Sequence, residues 1–338
     1  MGEHVDSPRY PGLSVVVPAY KSAGTLGRLC DELHRHVSGR VVELEMIIVD
    51  DGSDDDTWPT IERLAAERPW VRGLMLLRNY GQHNALLAGL REARLPLVAT
   101  MDDDLQNRPD TVPLLLAALS DEIDLVYAIP IGRPHGALRN LASAWTKRGM
   151  ALALGPDVHP QSGAFRLFRR ELIRAGAEVH DPSISIDVIL SWATRRVATV
   201  EVPFAEREDG RSGYTFRKLL RHTMNMVTGY STRPLRWATG AGMAFALLGF
   251  AMLLFVLTRY AVDTSTVPGF TFLAAAITLF SGIQLVSLGM IGEYLGRVHV
   301  RTLGRPPYVI RATAGHASED TGQRSQPERR VGHADADQ

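Results

Sequence analysis

The sequence has very little cysteine, since Cys30 is the single one among 338 residues. One cysteine excludes an intramolecular disulfide framework and a zinc site built from several thiolates. An excess of either charge is also lacking, because 37 Lys and Arg residues balance 37 Asp and Glu residues. A chain without a basic excess is not expected to bind nucleic acid through its overall charge. Hydrophobic residues nevertheless make up 45% of the sequence, which excludes global disorder and allows one large domain or two smaller ones.

Charged side chains are missing altogether from two long stretches near the C-terminus, 237–258 and 264–292. Roughly 20 apolar residues suffice to cross a bilayer. The two stretches therefore predict transmembrane helices at 237–258 and 270–292, joined as a hairpin. The alternative is a buried pair of helices in a soluble protein, although such helices rarely run so long without a charge. Lysine and arginine flank the pair mainly on its outer sides, and this distribution predicts that both flanks are cytosolic.

The residues before the hairpin are expected to form a cytosolic domain, because residues 1–12 are polar and contain no signal peptide. Residues 214–230 alternate basic and apolar positions at helical spacing. This pattern indicates either an amphipathic helix on the membrane surface or an ordinary domain helix. The predicted organisation is an N-terminal tail at 1–12, a catalytic domain at 13–212, amphipathic juxtamembrane helices at 213–234, the two membrane helices within 235–295, a cytosolic segment at 296–311 and a disordered tail at 312–338.

Apolar strands alternate with amphipathic helices between residues 13 and 101. The predicted strands are 13–17, 44–49, 71–77 and 97–101, and the predicted helices between them are 23–37, 57–67 and 82–93. This alternation is typical of an α/β fold with a mainly parallel sheet covered by helices. Ligands of such sheets bind beyond the carboxyl ends of the strands. Three of the predicted strands end there in polar groups, namely Pro18-Ala19-Tyr20, Asp50-Asp51 and Asp102-Asp103-Asp104.

The three consecutive aspartates suggest a metal site. Clustered carboxylates repel one another unless a cation shares them, and oxygen ligands suit Mg²⁺ or Mn²⁺. In an extended chain, residues i and i+2 face the same way. Asp102 and Asp104 can therefore address one ion, with Gln106 next in line. The alternatives for the same residues are an N-cap cluster of a helix and a solvated acidic turn.

The aspartate pair Asp50-Asp51 can accept hydrogen bonds from a nucleobase or a ribose, and the alternative is a β-turn capped by aspartate. Arg166 stands in the mostly apolar sequence 163–168 and is expected to have a partner. Arginine binds phosphate oxygens bidentately, although single surface arginines are usually solvated. The candidates for such a role are Arg78, Arg133, Arg139, Arg166, Arg207 and Arg211.

Taken together, these motifs resemble the family 2 glycosyltransferases of GT-A fold and, within them, the polyprenyl-phosphate glycosyltransferases. The resemblance is carried by Pro-Ala-Tyr at 18–20, Val-Asp-Asp-Gly-Ser at 49–53, Arg-Asn-Tyr-Gly-Gln-His at 78–83 and Met-Asp-Asp-Asp-Leu-Gln-Asn at 101–107. It continues through Phe-Arg-Leu at 165–167, Gly-Arg-Ser-Gly-Tyr at 210–214 and Gly-Glu-Tyr-Leu-Gly-Arg at 292–297, and it covers roughly residues 13–310. The sequence is similar to the subgroup that transfers 4-deoxy-4-formamido-L-arabinose to undecaprenyl phosphate, but its motifs do not specify the sugar.

The resemblance implies a GT-A sheet domain attached to the inner membrane by the helical hairpin. It also implies a nucleotide diphosphate sugar as donor, a polyprenyl phosphate as acceptor and Mg²⁺ or Mn²⁺ as cofactor. The implied partner is the lipid bilayer and not nucleic acid, and the formation of a homo-oligomer is left open. The family's Asp-x-Asp pattern falls on Asp102 and Asp104, with Gln106 at its metal-site glutamine. The middle position, usually alanine, is Asp103 here.

Roles for individual residues follow from the same resemblance. The implied donor-nucleotide residues are Pro18, Ala19, Tyr20, Asp50 or Asp51, Asp102 and Asp103. The implied acceptor-phosphate residues are Arg133, Arg139, Ser143, Arg207, Arg211 and Ser212. Catalytic roles fall on Asp104, Arg139 and Arg207. Many members carry an acidic residue just before Phe-Arg-Leu, whereas this chain has Gly163-Ala164 there.

Three other functions compete with this interpretation. A processive polysaccharide synthase would need more membrane spans and a Gln-x-x-Arg-Trp motif, which the sequence lacks. Another metal-dependent phosphate enzyme, such as a nucleotidyltransferase, would not explain the Asp-Gly-Ser and acceptor-loop motifs. A non-enzymatic, membrane-anchored scaffold that binds a nucleotide sugar would retain the fold without needing the metal-binding aspartates for turnover.

Overall fold

A mixed α/β sheet domain forms the framework of the protein. The computed structural model describes residues 10–131, 164–176, 185–203, 233–262 and 269–315. Within them the strands are β1 (Leu13–Ala19), β2 (Leu44–Asp50), β3 (Val71–Leu76), β4 (Leu97–Thr100), β5 (Leu125–Ile131), β6 (Arg166–Arg169), β7 (Val197–Pro203) and β8 (Ile310–Ala314). The helices are α1 (Ala23–Val37), α2 (Thr57–Glu67), α3 (Gln82–Glu92), α4 (Val112–Ala118), α5 (Ile186–Ala193), α6 (Arg233–Val262) and α7 (Phe270–Thr302).

The strands form one sheet in the order β7-β5-β6-β4-β1-β2-β3-β8. The four strands predicted from the sequence, β1 to β4, run parallel to one another, which confirms that part of the prediction. The described sheet is mainly parallel, as predicted, but it also contains two antiparallel strands, because β6 and β8 run antiparallel to their neighbours. Strands β5 and β7 run parallel to each other and in the same direction as β1.

The apolar strands are buried because helices cover both faces of the sheet. Val15 and Val17 pack in a core with α1, α2 and α4, whereas Val16 packs on the opposite face with α3 and α5. A strand covered on both sides has no solvent face, which explains why β1 is an uninterrupted apolar run instead of an alternating one. The predicted apolar stripe of α1 is also confirmed, since Leu26, Leu29, Cys30, Leu33 and Val37 are buried.

The C-terminal segment differs from the prediction. Residues 312–314, expected to lie in a disordered tail, belong to β8, which pairs antiparallel with β3, the strand that would otherwise be the edge strand on this side of the sheet. The amide of Leu77 donates to the carbonyl of Val309 at 2.9 Å, and the guanidinium of Arg91 donates to the hydroxyl of Tyr308 at 3.3 Å. An edge strand has unpaired backbone groups that another strand can satisfy. Pairing with β3 therefore orders a segment whose composition alone indicated disorder.

Helices α6 and α7 extend beyond the uncharged stretches on which the predicted hairpin was based. They contact each other through the rings of Phe245 and Phe280, which meet edge to face with centroids 6.4 Å apart. Among the residues that the structure describes, no helix is both long and apolar enough to qualify as a candidate membrane span.

Close packing of α3 on the sheet gives a test of the fold. A Cβ atom on Gly89 would lie 2.4 Å from Cγ1 of Val16 and 2.9 Å from Cγ2 of Val49. Both valines are buried, so we expect Gly89→Ala to destabilise the protein by about 1–3 kcal/mol through overpacking. The thermal unfolding midpoint should fall accordingly.

The matched control is Gly27→Ala in α1, where no atom lies within 4 Å of the added Cβ. Alanine at this helical position should stabilise the protein by about 0.5–1 kcal/mol. Equal unfolding midpoints for the two variants would contradict the packing described here.

Candidate active site

Loops that follow β1, β2 and β4 meet at one edge of the sheet because the three strands are parallel. Ala19 at the end of β1 pairs with Asp50 at the end of β2, and the amide of Asp51 donates to the carbonyl of Ala19 at 2.9 Å. The loops enclose a cavity of about 390 Å³. Its lining residues are Pro18, Ala19, Tyr20, Asp51, Asn79, Gly81, Gln82, Asp102, Asp103 and Asp104.

Asp51 joins the loop after β2 to the segment after β3. Its Oδ1 accepts a hydrogen bond from the amide of Tyr80 at 2.7 Å, and its Oδ2 accepts one from the amide of Gly81 at 2.8 Å. Burial raises the pKa of Asp51, and the two amide hydrogen bonds oppose that rise because they favour the ionised form. The carboxylate is therefore a fixed acceptor in the cavity wall.

Asp50 lies behind the cavity and does not line it. It is fully buried, and its Oδ1 accepts a hydrogen bond from the amide of Ser53 at 3.0 Å. Burial raises the pKa of this carboxyl group too, against the opposing hydrogen bonds from Ser53. The sequence left open which aspartate of the pair faces a ligand. In the structure Asp50 caps the turn, and Asp51 faces the cavity.

Asp102 is the most strongly perturbed carboxylate of the site. Its Oδ1 accepts a hydrogen bond from Nε2 of Gln82 at 2.7 Å, and its Oδ2 accepts one from Nδ2 of Asn107 at 3.4 Å. Burial, followed by repulsion from Asp104 and Asp103, raises the pKa of Asp102 to about 6. Three consecutive carboxylates thus lie close enough to repel one another, with their charges incompletely balanced.

Asp104 and Gln106 are held by a turn that follows Asp102. Oδ1 of Asp104 accepts a hydrogen bond from the amide of Gln106 at 3.1 Å, and Leu105 between them has a positive φ of 58°. Asp104 lines the cavity, whereas Gln106 does not. Within the described ranges, no group of three or more His, Cys, Asp or Glu side chains is arranged to hold a metal ion.

Asp103 faces the loop after β1. Its Oδ2 accepts a hydrogen bond from the amide of Tyr20 at 3.3 Å and a short one from Oγ of Ser22. Burial raises the pKa of Asp103, and these two hydrogen bonds oppose the rise. The side chain of Tyr20 is 47% exposed at the cavity wall.

Arg166 is a buried cation beneath the acidic edge, with a relative exposure of 1%. Its Nε donates to Oγ1 of Thr100 at 2.9 Å, and its Nη1 forms an ion pair with Asp187. The expectation that Arg166 has a partner is therefore confirmed. Its positive charge lowers the pKa of Asp102 against the effect of burial. This arginine supports the site from below instead of offering its guanidinium to a ligand.

A larger cavity, of about 600 Å³, lies at the opposite edge of the sheet and is lined partly by Arg91, Arg169 and Arg170. Its walls contain none of the carboxylates described above. The volume of a cavity alone does not identify the active site. The smaller cavity is the better candidate, because oxygen ligands, an exposed aromatic ring and backbone amides converge there.

Comparison with known proteins agrees with the motifs. The family model described as glycosyl transferase family 2 matches residues 14–176. An undecaprenyl-phosphate 4-deoxy-4-formamido-L-arabinose transferase of Proteus mirabilis is 34% identical over 306 residues, which cover 90% of this chain and 94% of the relative. The chain belongs to glycosyl transferase family 2. It is therefore a glycosyltransferase, as the motifs predicted. A Klebsiella pneumoniae protein of the same name is also 34% identical, over the same shares of both chains.

Among solved structures, a glucosyl-3-phosphoglycerate synthase of Mycobacterium tuberculosis in complex with Mn²⁺, UDP and phosphoglyceric acid gives a TM-score of 0.46. It is 23% identical, over 64% of this chain and 76% of that chain.

The predicted site residues of this family 2 enzyme fall into two groups. The cavity brings together the residues predicted for the donor and the metal, apart from Asp50 and Gln106. The second group, predicted for the acceptor phosphate, lies outside the described residues and consists of Arg133, Arg139, Ser143, Arg207, Arg211 and Ser212. Arg78 is described, and its guanidinium lies over the ring of Tyr80 at 4.3 Å.

Several residues of the site were not singled out from the sequence. Gln82 donates to Asp102, Asn79 lines the cavity, and Ser22 and Ser53 tie neighbouring loops together. Gln82 and Asn79 belong to the motif at 78–83 that contributed to the family resemblance. Their position directly after a parallel strand was the available signal that they could reach the site.

Two glycines of the site provide a test of its backbone geometry. Gly52 has a φ of +69°, and a Cβ atom there would lie 2.4 Å from the carbonyl carbon of Arg78. Gly81 has a φ of +92° with no atom within 4 Å of an added Cβ. We expect Gly81→Ala to lower the free energy of unfolding by about 1–3 kcal/mol, because its φ of 92° and ψ of 152° lie in a region that only glycine adopts readily. Gly52→Ala should lower the free energy of unfolding by about 1–3 kcal/mol more than Gly81→Ala does, because its Cβ atom would clash with the backbone of Arg78.

Thermal unfolding of both variants measures this difference. The clash would push the segment after β3 away from Asp51, so the unfolding midpoint of Gly52→Ala should be the lower of the two. Equal stability of the two variants would show that the loops after β2 and β3 do not approach each other as described.

Proposed function

We propose that the protein transfers a sugar from a nucleotide diphosphate sugar to a polyprenyl phosphate at a membrane surface. The observation that carries the proposal is the cavity in which Asp102 and Asp104 lie near Tyr20 and Asp51. Its walls offer oxygen ligands for the cation of a diphosphate, together with an aromatic ring and an acceptor for a nucleoside. The choice of acceptor is supported by relatives that are named undecaprenyl-phosphate sugar transferases and match over most of their length.

The donor would lie across the edge of the sheet. Pro18, Ala19 and Tyr20 would flank the base, and Asp51 would accept a hydrogen bond from the nucleoside. Asp102 and Asp104 are proposed to hold Mg²⁺ or Mn²⁺, with Gln106 as a further candidate ligand. The residues fit such an ion, because half-buried Asp102 lies beside two further carboxylates whose repulsion a bound cation would relieve.

Two protein carboxylates are sufficient for this purpose, since Mg²⁺ is usually held by one or two carboxylates together with substrate phosphates. A cation bound there would neutralise the diphosphate and make it a better leaving group. Buried Arg166 would keep Asp102 available for the ion by favouring its ionised form.

The acceptor needs no general base in this mechanism. The second pKa of a phosphate monoester is near 6, so a lipid monophosphate is largely a dianionic nucleophile at pH 7. The protein must instead bring two anions together, and arginines would offset their repulsion and align the attack. Direct displacement without a covalent enzyme intermediate predicts inversion at the anomeric carbon.

The predicted acceptor residues follow strands that end at the same edge of the sheet. β5 ends at Ile131, two residues before Arg133, and β7 ends at Pro203, four residues before Arg207. Both strands run in the direction of β1. The chain therefore leaves the sheet near the carboxylates, and we propose that the following segments bind the acceptor phosphate through Arg133, Arg139, Ser143, Arg207, Arg211 and Ser212.

We further propose that α6 and α7 form the membrane hairpin. The helices contain 30 and 33 residues, against the roughly 20 that a bilayer requires, and the described side chains of Leu247, Phe255 and Leu285 are each more than 60% exposed. Large apolar side chains exposed in such numbers suit a lipid environment. No helix of the described residues qualifies as a candidate span, so this proposal rests on the uncharged sequences at 237–258 and 270–292 and on the lengths of the two helices.

The path of the C-terminal chain supports an active site next to the membrane. β8 pairs Ile310 with Leu76 at the carboxyl end of β3, so the chain returns from α7 to the edge of the sheet that carries the cavity. A sheet domain on the cytosolic face of the inner membrane, with amphipathic helices at 213–234, would then meet the lipid phosphate where it emerges from the bilayer.

A transfer assay tests the proposed function. Full-length protein is mixed with undecaprenyl phosphate, Mn²⁺ or Mg²⁺ and a panel of UDP-, GDP- and dTDP-sugars, and the lipid products are identified by mass spectrometry. We expect a polyprenyl-phosphate sugar from at least one donor, and no product after chelation. Asp104→Asn should slow transfer on the order of 100-fold, because it weakens metal binding at the leaving group.

The matched control is Asp121→Asn, which removes an exposed carboxylate outside the cavity and should leave transfer unchanged. Absence of a lipid-linked product with every donor, despite nucleotide binding, would point to a sugar outside the panel or to another acceptor. Absence of nucleotide binding would reject the proposed function. Transfer that persists in the chelator and in Asp104→Asn would reject the metal site.

A further inference from the structure

The middle aspartate of the acidic motif is directed toward a different loop from its neighbour. Asp102 accepts hydrogen bonds from Gln82 and Asn107. Asp103 instead accepts them from the amide of Tyr20 at 3.3 Å and the hydroxyl of Ser22. These partners lie 83 and 81 residues earlier in the chain. The carboxylate of Asp103 therefore connects the ends of β4 and β1.

The loop at residues 20–22, here called the Tyr20 loop, has a backbone that needs such support. Lys21 adopts a φ of +57°, which is unfavourable for a residue with a side chain. Backbone strain of this kind persists only where surrounding contacts determine the conformation. On the β2 side, the amide of Lys21 donates to Oγ of Ser53 at 3.0 Å, and the amide of Ser22 donates to Oγ1 of Thr57 at 2.9 Å.

We propose that Asp103 is a positioning residue that holds the Tyr20 loop in shape for the nucleotide and is not itself a metal ligand. The nucleotide part of this inference rests on the proposed function. Asp103 supplies the support on the β4 side, opposite the contacts made by Ser53 and Thr57. The same oxygen accepts both hydrogen bonds from the Tyr20 loop, and this commits it to that loop.

This arrangement links the side of the cavity proposed to contact the nucleobase, at Tyr20, to the proposed metal ligands. Asp103 stands between Asp102 and Asp104 in the chain, so the backbone that presents the proposed ligands also fixes the aromatic wall of the cavity. Removing the side chain of Asp103 should therefore loosen the Tyr20 loop, whereas the proposed metal ligands Asp102 and Asp104 keep their carboxylates.

Hydrogen exchange tests the support without any nucleotide. In full-length protein, we expect Asp103→Ala to accelerate amide exchange in peptides that cover residues 19–24. The amide of Tyr20 loses one of its two acceptors, and the other, Oγ of Ser22 at 3.2 Å, loses the carboxylate that holds it in place. Asp104→Asn should leave the exchange of the same peptides unchanged. Unchanged exchange in Asp103→Ala would overturn the inference, and this result does not depend on whether the protein transfers a sugar.

Nucleotide titrations separate positioning from metal binding. With UDP, GDP and dTDP as probes in Mn²⁺, Asp103→Ala should weaken whichever nucleotides the unmodified protein binds by about 5–10-fold, as expected for the loss of one or two hydrogen bonds. The Mn²⁺ concentration that gives half-maximal binding should stay within about twofold. Asp103→Asn keeps an acceptor oxygen and should restore most of the affinity, which a metal ligand would not tolerate as well.

A second variant tests whether the contact with Ser22 carries the effect. Ser22→Ala should weaken binding in the unmodified protein and weaken it less in the Asp103→Ala background, because both changes remove the contact between Ser22 and Asp103. The effect that remains reflects the hydrogen bond from the amide of Tyr20 to Oγ of Ser22 at 3.2 Å. Fully additive losses of nucleotide affinity in the double variant would overturn the inference. A strong increase in the Mn²⁺ concentration needed for half-maximal binding, in both Asp103→Asn and Asp103→Ala, would overturn it as well. A similar unfolding midpoint for all variants excludes general destabilisation as the cause.

Discussion

The common direction of six strands is the constraint on which the candidate site depends. β1, β2, β3, β4, β5 and β7 all direct their carboxyl ends to one edge of the described sheet. Carboxylates then connect the loops that leave this edge. Asp51 holds the amides of Tyr80 and Gly81, while Asp103 holds the amide of Tyr20. A cavity made from several separate loops thereby acquires a defined shape, which a binding site needs before its ligand arrives.

The same carboxylates make the site electrostatically costly in the absence of a ligand. Burial and mutual repulsion raise the pKa of Asp102 to about 6, and the buried guanidinium of Arg166 and the hydrogen bond from Gln82 oppose this rise only in part. Groups perturbed by burial and by like charges are common at functional sites, where the substrate or a cation completes the balance. Ligand binding would therefore relieve the repulsion between the neighbouring aspartates.

Local sequence patterns were sufficient to predict β1 to β4, the helices between them and the edge at which their polar residues meet. They could not decide between Asp50 and Asp51, because neighbouring residues point in opposite directions and the turn at Gly52 determines which one faces the cavity. They also missed β8, whose order depends on pairing with β3 more than 230 residues earlier in the chain. A partner for Arg166 was expected, but its identity as Asp187 depends on tertiary packing of α5 against the sheet.

The central claim is that the carboxylates at this edge bind a nucleoside diphosphate together with a divalent cation. The most direct measurement is calorimetric titration of the full-length protein with UDP, GDP and dTDP, in Mn²⁺ and in chelator. The account predicts that at least one nucleotide binds in Mn²⁺, that chelation abolishes or strongly weakens this binding, and that Asp104→Asn has the same effect. Failure of all three nucleotides to bind in Mn²⁺, or equal affinity in chelator and in Asp104→Asn, would contradict it.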